Sequence, residues 1–403
     1  MIKKIILSLL IVSTLFLAGC SFFPFGGKTM KTVDKALLTE NIDKVARYDF
    51  DNQKVFGSAY FVYYNGEILE KTYGTASLNS DTPITNKTLF RLASMTKPIT
   101  AVAALILVER GVIALDDGVD KFLPEFKNIK IKDGTGKETV PKKMPTIRNI
   151  LTHSSGIGSN AEKLALMAAE DRATLDSAVA FYVRSGLDFE PSTAQAYSGT
   201  GAFDVLTKII EKVTGEDYLR FLKREIFEPC DMPDTTFLPT DGQRQRMVAM
   251  HNRVNGQNAE FEMPEGCIFE NVPATHYLGG AGLVSTLHDY CSFAKMLLNK
   301  GKTDKGQILQ EESVALLSSP QISGKIMPGD TRWGLGVRVI VDNGHPDLPK
   351  GCFGWSGAYG SHFWIDPANN IFAVYMKNSK YDGGAGNQSA NKFENAVYAS
   401  MVK

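Results

Sequence analysis

The stretch FRLASMTKPITAVAALILVERGVIALDD occupies residues 90–117 and contains the pattern on which the fold depends. Residues 95–110 are predicted to form a helix that ends before Gly111. Between residues 99 and 108 this helix is apolar on every side except at Thr100, which is typical of a helix in the centre of a protein. We therefore expect a buried central helix with the rest of the chain packed around it.

Ser94 and Lys97 stand where this helix begins, in the sequence Ser-Met-Thr-Lys. Residues three apart share a helix face, so Lys97 can reach the Ser94 hydroxyl. A serine needs an adjacent base to act as a nucleophile, and a buried lysine can lose its proton because desolvation disfavours its charged form. The free N–H groups at a helix N-terminus can also stabilise an oxyanion. We predict that Ser94 is a nucleophile and that Lys97 assists it.

The patterns on either side of this helix indicate how the chain is organised. Two strand patterns, 58–64 and 67–73, flank Asn65-Gly66, a strong hairpin signal. Further strand patterns follow at 334–341, 362–365 and 371–376, whereas the section from about 112 to 300 has mostly helical patterns (161–170, 174–184, 202–214, 218–227 and 287–299). Helices are also predicted at 32–47 and from about residue 388. This order predicts an α/β (α+β) fold. Its central antiparallel sheet is built from both chain ends and flanked by helices, and the helical section forms an inserted lobe.

Two other residues compete for a catalytic role. Ser356 lies in Gly-Trp-Ser-Gly-Ala, which approximates a G-x-S-x-G nucleophile motif. That motif requires a strand before the serine and a helix after it, but here a strand pattern follows, so Ser94 is preferred. His153 could serve as a base, yet its string Leu-Thr-His-Ser-Ser-Gly-Ile is better interpreted as a structural turn.

Five strings, in this order, resemble the serine β-lactamase and penicillin-binding protein superfamily, closest to its class C-like and carboxylesterase branches. They are the stretch 90–117 already quoted, ILTHSSGIG (150–158), PSTAQAYSGTGAFDVLTKIIEKVTG (191–215), GGAGLVSTLHDYCSFAKMLLNKG (279–301) and GWSGAYGSHFWIDP (354–367). The resemblance covers roughly residues 35 to 400. It implies a mixed sheet with a helical lobe, in agreement with the order of the elements.

The resemblance also implies roles for individual residues. Ser94 would be acylated, Lys97 would share its proton, and Tyr197 of the third string would act as general base. The backbone N–H groups of Ser94 and Ala358 would stabilise the oxyanion. The third family motif would contribute to substrate binding, and its residues here are Trp355, Ser356 and Gly357.

The sequence departs from the family pattern at two places. The asparagine of the Y-S-N motif is replaced by Gly199, and Trp355 stands where K-T-G or H-T-G has a cation; neither motif occurs in the chain. In β-lactamases and D,D-peptidases that cation meets the substrate carboxylate, although an arginine from elsewhere could replace it. The W-x-G arrangement resembles the carboxylesterases of the superfamily.

These departures favour a carboxylesterase acting on small or medium acyl esters as the leading hypothesis. One alternative is a class C-like β-lactamase or D,D-peptidase acting on β-lactams or cell-wall peptides. Another is a non-catalytic envelope binding protein on the same fold, which the loss of the asparagine would allow.

The first residues indicate export and anchoring. Lys3 and Lys4 precede an apolar run, residues 5–16, that is too short to span a bilayer. The following Leu-Ala-Gly-Cys resembles a lipobox, so Cys20 is predicted to carry a lipid. We therefore predict a signal peptide (1–19), a tether (20–31) and a hydrolase domain (32–403). The protein is expected to be anchored at the extracytoplasmic face of the bacterial cell membrane.

Composition limits the possible partners. Without residues 1–19 the chain has 42 basic and 44 acidic residues, which gives no global electrostatic reason to bind nucleic acid. The histidines and cysteines lack the usual metal-ligand spacings. We expect a small ester or amide substrate, no cofactor and no metal, with the cysteines beyond Cys20 as mostly buried free thiols.

Overall fold

The computed structural model of the protein describes residues 32–132, 135, 137–261, 276–384 and 387–402. The predicted signal peptide, Cys20 and the tether lie outside this part of the chain, as does Cys267. Within the described part, no helix is long and apolar enough to cross a membrane.

A seven-stranded antiparallel sheet forms the centre of the molecule. Its strands are β1 (Gly57–Tyr64), β2 (Glu67–Gly74), β3 (Thr331–Trp333), β4 (Arg338–Ile340), β5 (Phe353–Ser356), β6 (His362–Asp366) and β7 (Ile371–Met376). Their order in space is β3-β4-β5-β6-β7-β1-β2, so the two ends of the chain meet where β7 pairs with β1. The predicted α/β class, with a sheet built from both chain ends, is confirmed.

The hairpin of β1 and β2 turns at the predicted dipeptide. Asn65 and Gly66 both have positive φ, 49° and 94°, as a two-residue type I′ turn requires. The register pairs Tyr64 with Glu67 directly across this turn. The Asn-Gly dipeptide therefore correctly predicts the turn, and the turn sets the register of the two strands.

Helices cover both faces of the sheet. Those of ten or more described residues are α1 (Lys35–Asp51), α2 (Thr96–Glu109), α3 (Leu175–Ser185), α4 (Gly201–Thr214), α5 (Leu287–Leu298) and α6 (Gln388–Ala399). Helices α1 and α6 pack together on one face, and their Leu38, Ile42 and Phe393 share a core with Tyr60 and Trp364 of the sheet. Helix α5 packs on the opposite face, and α2 belongs to the core on that side.

Helix α2 is the predicted central helix. Every residue from Thr96 to Leu107 is buried, and α2 packs against α4 of the helical section. Helix α5, although it ends the section predicted as a helical lobe, lies against β6 and β7. The start of α2 therefore lies between the sheet and the helical section.

Shorter elements complete the described chain. The remaining helices and helical turns are Ala93–Met95, Val119–Phe122, Pro124–Asn128, Ile147–Leu151, Ala161–Ala165, Glu170–Arg172, Tyr218–Leu222, Lys223–Phe227, Glu228–Cys230, Asp241–Arg244 and Glu311–Leu317. Two-stranded pairs join Thr32–Val33 to Met401–Val402, Leu89–Arg91 to Val284–Thr286, Ile131–Lys132 to Glu138–Thr139, His251–Val254 to Gln257–Glu260 and Lys302–Thr303 to Gly306–Gln307.

The single strand predicted for residues 334–341 is wrong. The chain turns after β3, and Gly336 has a positive φ of 73°. A Cβ at Gly336 would lie 2.8 Å from the Cβ of Ala101 on α2. The glycine thus lets this turn approach α2 closely, and within the predicted range only Arg338–Ile340 (β4) forms a strand.

Candidate active site

A tight turn places Ser94 at the start of α2. The turn Ala93–Met95 is held by hydrogen bonds from Leu92 N–H to the Leu283 carbonyl (2.9 Å) and from the Tyr290 hydroxyl to the Met95 carbonyl (2.9 Å). Ala93 has a positive φ of 44°, a strained conformation that such a turn imposes on a non-glycine residue. Ser94 is nearly buried, and its hydroxyl is fixed by its neighbours.

Lys97 makes three polar contacts from a fully buried position. Its Nζ lies 2.6 Å from the Gly199 carbonyl oxygen, 2.9 Å from the Gly280 carbonyl oxygen and 3.2 Å from Ser94 Oγ. The two carbonyl groups only accept, so they occupy two N–H groups of the lysine. The third position faces Ser94 as either an N–H or, in the neutral amine, a lone pair that can accept the serine proton.

Tyr197 reaches Ser94 from the opposite side. Its hydroxyl lies 2.7 Å from Ser94 Oγ, and the Trp355 indole N–H donates to the same hydroxyl at 3.3 Å. Lys97 Nζ lies 4.8 Å from the centre of the Tyr197 ring. The structure therefore brings together Ser94, Lys97 and Tyr197, which the sequence separates by up to 103 residues.

His153 lies behind this group and does not contact Ser94. Its Nδ1 accepts the backbone N–H of Ser198 (3.1 Å), and its ring packs 4.5 Å from Tyr197 and 4.4 Å from Trp333 between ring centres. Burial, with the Lys97 ammonium nearby, lowers the pKa of His153 well below its usual range. Its backbone has a positive φ of 54°. These features fit the structural turn predicted for it and a role in holding Tyr197.

The end of β5 closes against the backbone before Ser94. Gly357 donates its N–H to the Ser361 carbonyl at 2.7 Å, and a Cβ on Gly357 would overlap with the Leu92 carbonyl oxygen. Ala358 follows and lines the same cavity as Ser94. The backbone N–H groups of Ser94 and Ala358 therefore belong to residues that line one cavity.

A cavity of about 540 Å³ opens beside Ser94. Tyr197 and the end of β5 border it, and its remaining wall consists of Gln195, Met327, Trp333, Arg338 and Gly384. Trp333 and Trp355 pack against each other with ring centres 4.5 Å apart. Aromatic and aliphatic walls with a few polar groups are typical of small-molecule sites.

Ser356 occupies a different environment from Ser94. It ends β5 and is followed by a turn and β6, so the helix that a nucleophile elbow requires is missing. Its Oγ lies 2.7 Å from His362 Nδ1, and His362 Nε2 lies 2.8 Å from Glu394 Oε1. These partners could not be predicted from the sequence around Ser356, because they come from β6 and α6.

The contacts of Lys97 with the carbonyl groups of Gly199 and Gly280 were also not predicted from the sequence. The Gly280 backbone lies close to both Gly199 and Lys97. A Cβ at Gly280 would lie 2.9 Å from the Gly199 carbonyl oxygen and 3.3 Å from Lys97 Nζ. The run Gly-Gly-Ala-Gly at 279–282 was the signal available in the sequence. A Cβ at Gly199 would meet nothing within 4 Å, so the space in front of the missing asparagine is open.

Two further features of the described residues concern metal binding and the cysteines. No cluster of three or more His, Cys, Asp or Glu residues suited to a metal ion occurs among them. Cys230, Cys291 and Cys352 are buried free thiols, as predicted. Burial raises the pKa of the Cys230 thiol to about 12, which makes it a poor nucleophile.

Residues 40–394 match the family described as Beta-lactamase. The chain belongs to this family. It is 28% identical to the esterase EstB of Burkholderia gladioli, over 92% of this chain and 98% of EstB. It is 26% identical to penicillin-binding protein 4 of Amycolatopsis lactamdurans, over 80% of each chain. The resemblance to the serine β-lactamase and penicillin-binding protein superfamily is therefore confirmed.

Solved structures share the fold. EstCE1, a hydrolase with promiscuous acyltransferase activity, superposes with a TM-score of 0.75 at 23% identity, over 90% of this chain and 99% of that chain. The family and these relatives together support an enzyme of the serine hydrolase and acyltransferase type.

Proposed function

We propose that this protein is a carboxylesterase that hydrolyses small or medium acyl esters through an acyl-enzyme on Ser94. The observation that carries the proposal is the wall of the cavity beside Ser94. Met327, Trp333 and Trp355 make this wall largely apolar, and the Trp355 indole bonds to Tyr197 where β-lactamases would present a cation. Such a wall suits an uncharged acyl chain.

The contacts around Ser94 support a balanced two-step reaction. Tyr197, as the general base, accepts the Ser94 proton across 2.7 Å while Oγ bonds to the ester carbon. The N–H groups of Ser94 and Ala358 stabilise the oxyanion. The ester C–O bond then breaks, and Tyr197 returns the proton to the departing alkoxide.

Deacylation repeats the sequence with water. Tyr197 takes a proton from a water molecule, and the resulting hydroxide attacks the acyl carbon. The carboxylic acid departs as Ser94 Oγ regains the proton. Lys97 stays between the two carbonyl groups of Gly199 and Gly280 throughout, which keeps its Nζ 4.8 Å from the centre of the Tyr197 ring.

A comparison of two substrates tests this proposal. The purified protein is assayed with p-nitrophenyl butyrate and with a chromogenic cephalosporin. We expect turnover of the ester and little or no turnover of the cephalosporin. Comparable efficiency on the cephalosporin would favour the β-lactamase or D,D-peptidase alternative. Inertness towards both substrates and towards a fluorophosphonate would favour the binding protein.

We also propose that the enzyme is lipid-anchored at Cys20 on the extracytoplasmic face of the membrane. The proposal is supported by the sequence alone, namely the basic start, the short apolar run and Leu-Ala-Gly-Cys at residues 17–20. The tether of residues 20–31 would separate the anchor from the catalytic domain.

A further inference from the structure

Arg338 is the one charged side chain among the described residues that line the cavity. It lies on β4, which pairs with the edge strand β3, and its side chain is 22% exposed. A guanidinium at this wall is the natural partner for a substrate carboxylate. By itself, this residue would therefore favour charged substrates and oppose a preference for neutral esters.

A buried carboxylate lies behind this arginine. Glu394 of α6 is almost inaccessible, and its Oε1 lies 3.6 Å from Arg338 Nη2. The same oxygen lies 2.8 Å from His362 Nε2. A buried charge requires a partner, and Arg338 supplies the opposite charge. The pair contributes no net charge to the cavity wall.

Glu394 also determines the orientation of the Ser356 hydroxyl. The Glu394 carboxylate oxygen accepts, so Nε2 of His362 carries a proton, and the ring is neutral when that is its one proton. We therefore assign His362 as the neutral imidazole whose Nε2–H points at Glu394, which leaves Nδ1 as an acceptor. Ser356 then donates its proton to Nδ1 across 2.7 Å, and this hydroxyl has no proton to offer a substrate carboxylate.

We propose that Glu394 is a specificity-determining residue that acts from behind the cavity wall. It neutralises Arg338 and, through His362, engages the proton of Ser356, so the cavity discriminates against substrates that carry a carboxylate. Glu394 does not touch the substrate, and its effect is transmitted by the two wall residues. The inference rests on the proposed esterase function and adds the substrate charge that this site selects.

The test uses two esters that differ only in charge, p-nitrophenyl hydrogen adipate and p-nitrophenyl methyl adipate. The measured quantity is the ratio of kcat/KM for the acid to kcat/KM for the methyl ester, in the full-length protein. The substitution Glu394→Gln keeps the side-chain size and releases Arg338. We expect the ratio to rise about tenfold or more, the order of one charge-assisted hydrogen bond.

The double variant Arg338→Gln/Glu394→Gln is the matched control, because it removes both charges together. Its ratio is expected to return to within about threefold of the wild-type value. If the role of Glu394 were purely structural, the substitution would change kcat/KM for both substrates by the same factor and would leave the ratio unaltered. An unaltered ratio in folded Glu394→Gln would overturn the inference while leaving ester turnover intact. If the wild type hydrolyses neither ester, the proposed esterase function itself has failed.

The wild-type protein provides a second measurement that does not depend on the folding of a variant. A neutral wall predicts that the same ratio stays constant between about 0.02 M and about 0.5 M salt, where screening of an exposed charge changes strongly. A ratio that falls several-fold as salt increases would show that Arg338 already attracts anions, and the inference would be wrong.

Discussion

Lys97 connects the residues on which the proposed chemistry depends. Its contacts with Gly199, Gly280 and Ser94 hold the amine beside both the nucleophile and the Tyr197 ring. Tyr197 in turn receives the Trp355 N–H, so its oxygen is bonded on two sides. In the proposed chemistry, these residues act as a single proton-transfer unit in which each group positions the next.

This unit predicts non-additive losses. General-base assistance contributes roughly 10²- to 10⁴-fold, and groups that act together lose that contribution only once. Lys97→Ala should reduce kcat on p-nitrophenyl butyrate by several orders of magnitude, and Tyr197→Phe by at least about 10²-fold. The double variant should be scarcely slower than the slower single one. If the two losses multiply instead, Tyr197 is a packing residue and the base is another group.

A second residue-scale prediction concerns Asp204 on α4. Tyr182 donates its hydroxyl to Asp204 Oδ2 at 2.9 Å, while Oδ1 has no partner among the described residues. Burial raises the pKa of Asp204 to about 7, although the Lys97 charge opposes the rise. The folded state therefore keeps a proton that the unfolded chain releases near pH 4.

The sign of the pH effect follows from this difference. The stabilisation by Asp204 is complete below its unfolded pKa and is lost as the pH rises towards 7, by up to roughly 4 kcal/mol. Asp204→Asn should flatten this part of the curve, so the variant gains stability relative to wild type between pH 5 and pH 8. Urea unfolding of both proteins at several pH values measures this difference in the free energy of unfolding. Parallel curves for the two proteins would contradict the assignment.

At the scale of elements, the site forms where β5 meets the turn before α2. The missing Cβ of Gly357 allows the strand end to approach Leu92, and Ser361 Oγ bonds to the Leu92 carbonyl at 3.3 Å. This contact sets the spacing between the N–H groups of Ser94 and Ala358. The proposed oxyanion site would thus depend on two elements that are more than 250 residues apart in the sequence.

The contact predicts a specific effect of Gly357→Ala. The new methyl group would overlap with the Leu92 carbonyl oxygen and Ser361 Oγ, so the strand end must move away from Ser94. We expect kcat to fall about tenfold or more, as when one oxyanion donor is misplaced, with the protein still folded by circular dichroism. Gly242→Ala, where a Cβ meets nothing within 4 Å, is the control. Equal activity of both variants would argue against this oxyanion geometry.

Elements with strong local patterns were predictable, and those set by distant contacts were not. The hairpin around Asn65-Gly66 and helix α2 follow from turn chemistry and an unbroken apolar run. Of the strand predicted for residues 334–341 only β4 forms, because the turn at Gly336 depends on packing against α2, and β3 was not predicted. Strand β5 was not predicted at all, since Phe-Gly-Trp-Ser has no clear alternation in the sequence.

The residues of the site also divide into those that could be predicted from the sequence and those that could not. Ser94 and Lys97 were predicted from their spacing at a helix start, and Tyr197 only through the family resemblance. The Arg338–Glu394–His362–Ser356 chain could not be predicted, because its members come from β4, α6, β6 and β5. Their sequence neighbours carry no sign of these contacts, which depend on the pairing of strands and the docking of α6.

At the scale of the whole molecule, the two ends of the described chain lie together. Thr32–Val33 pairs with Met401–Val402. Val33 and Met401 of these two strands pack against the core that α1 and α6 share. Ser94 and α2 belong to the layer on the other face of the sheet. A chain segment preceding Thr32 would therefore join the molecule at the layer away from Ser94.

The anchor is tested by Cys20→Ser. If Cys20 carries the lipid, the variant should not incorporate labelled palmitate and should remain unprocessed or be released from the membrane. The measurement is metabolic labelling followed by fractionation, with Cys230→Ser as the control because that thiol is buried in the fold. A Cys20→Ser protein that is cleaved at the same place and still partitions with membranes would show that the lipobox interpretation is wrong.

The central claim is that the acyl-enzyme forms on Ser94, and locating the modified residue tests it most directly. The full-length protein is treated with a fluorophosphonate, digested, and the labelled peptide is sequenced by mass spectrometry, alongside Ser94→Ala and Ser356→Ala. The geometry predicts a label on Ser94 that disappears in Ser94→Ala and persists in Ser356→Ala. A label that survives the first substitution and disappears with the second would place the nucleophile at Ser356, beside His362, and would contradict the account.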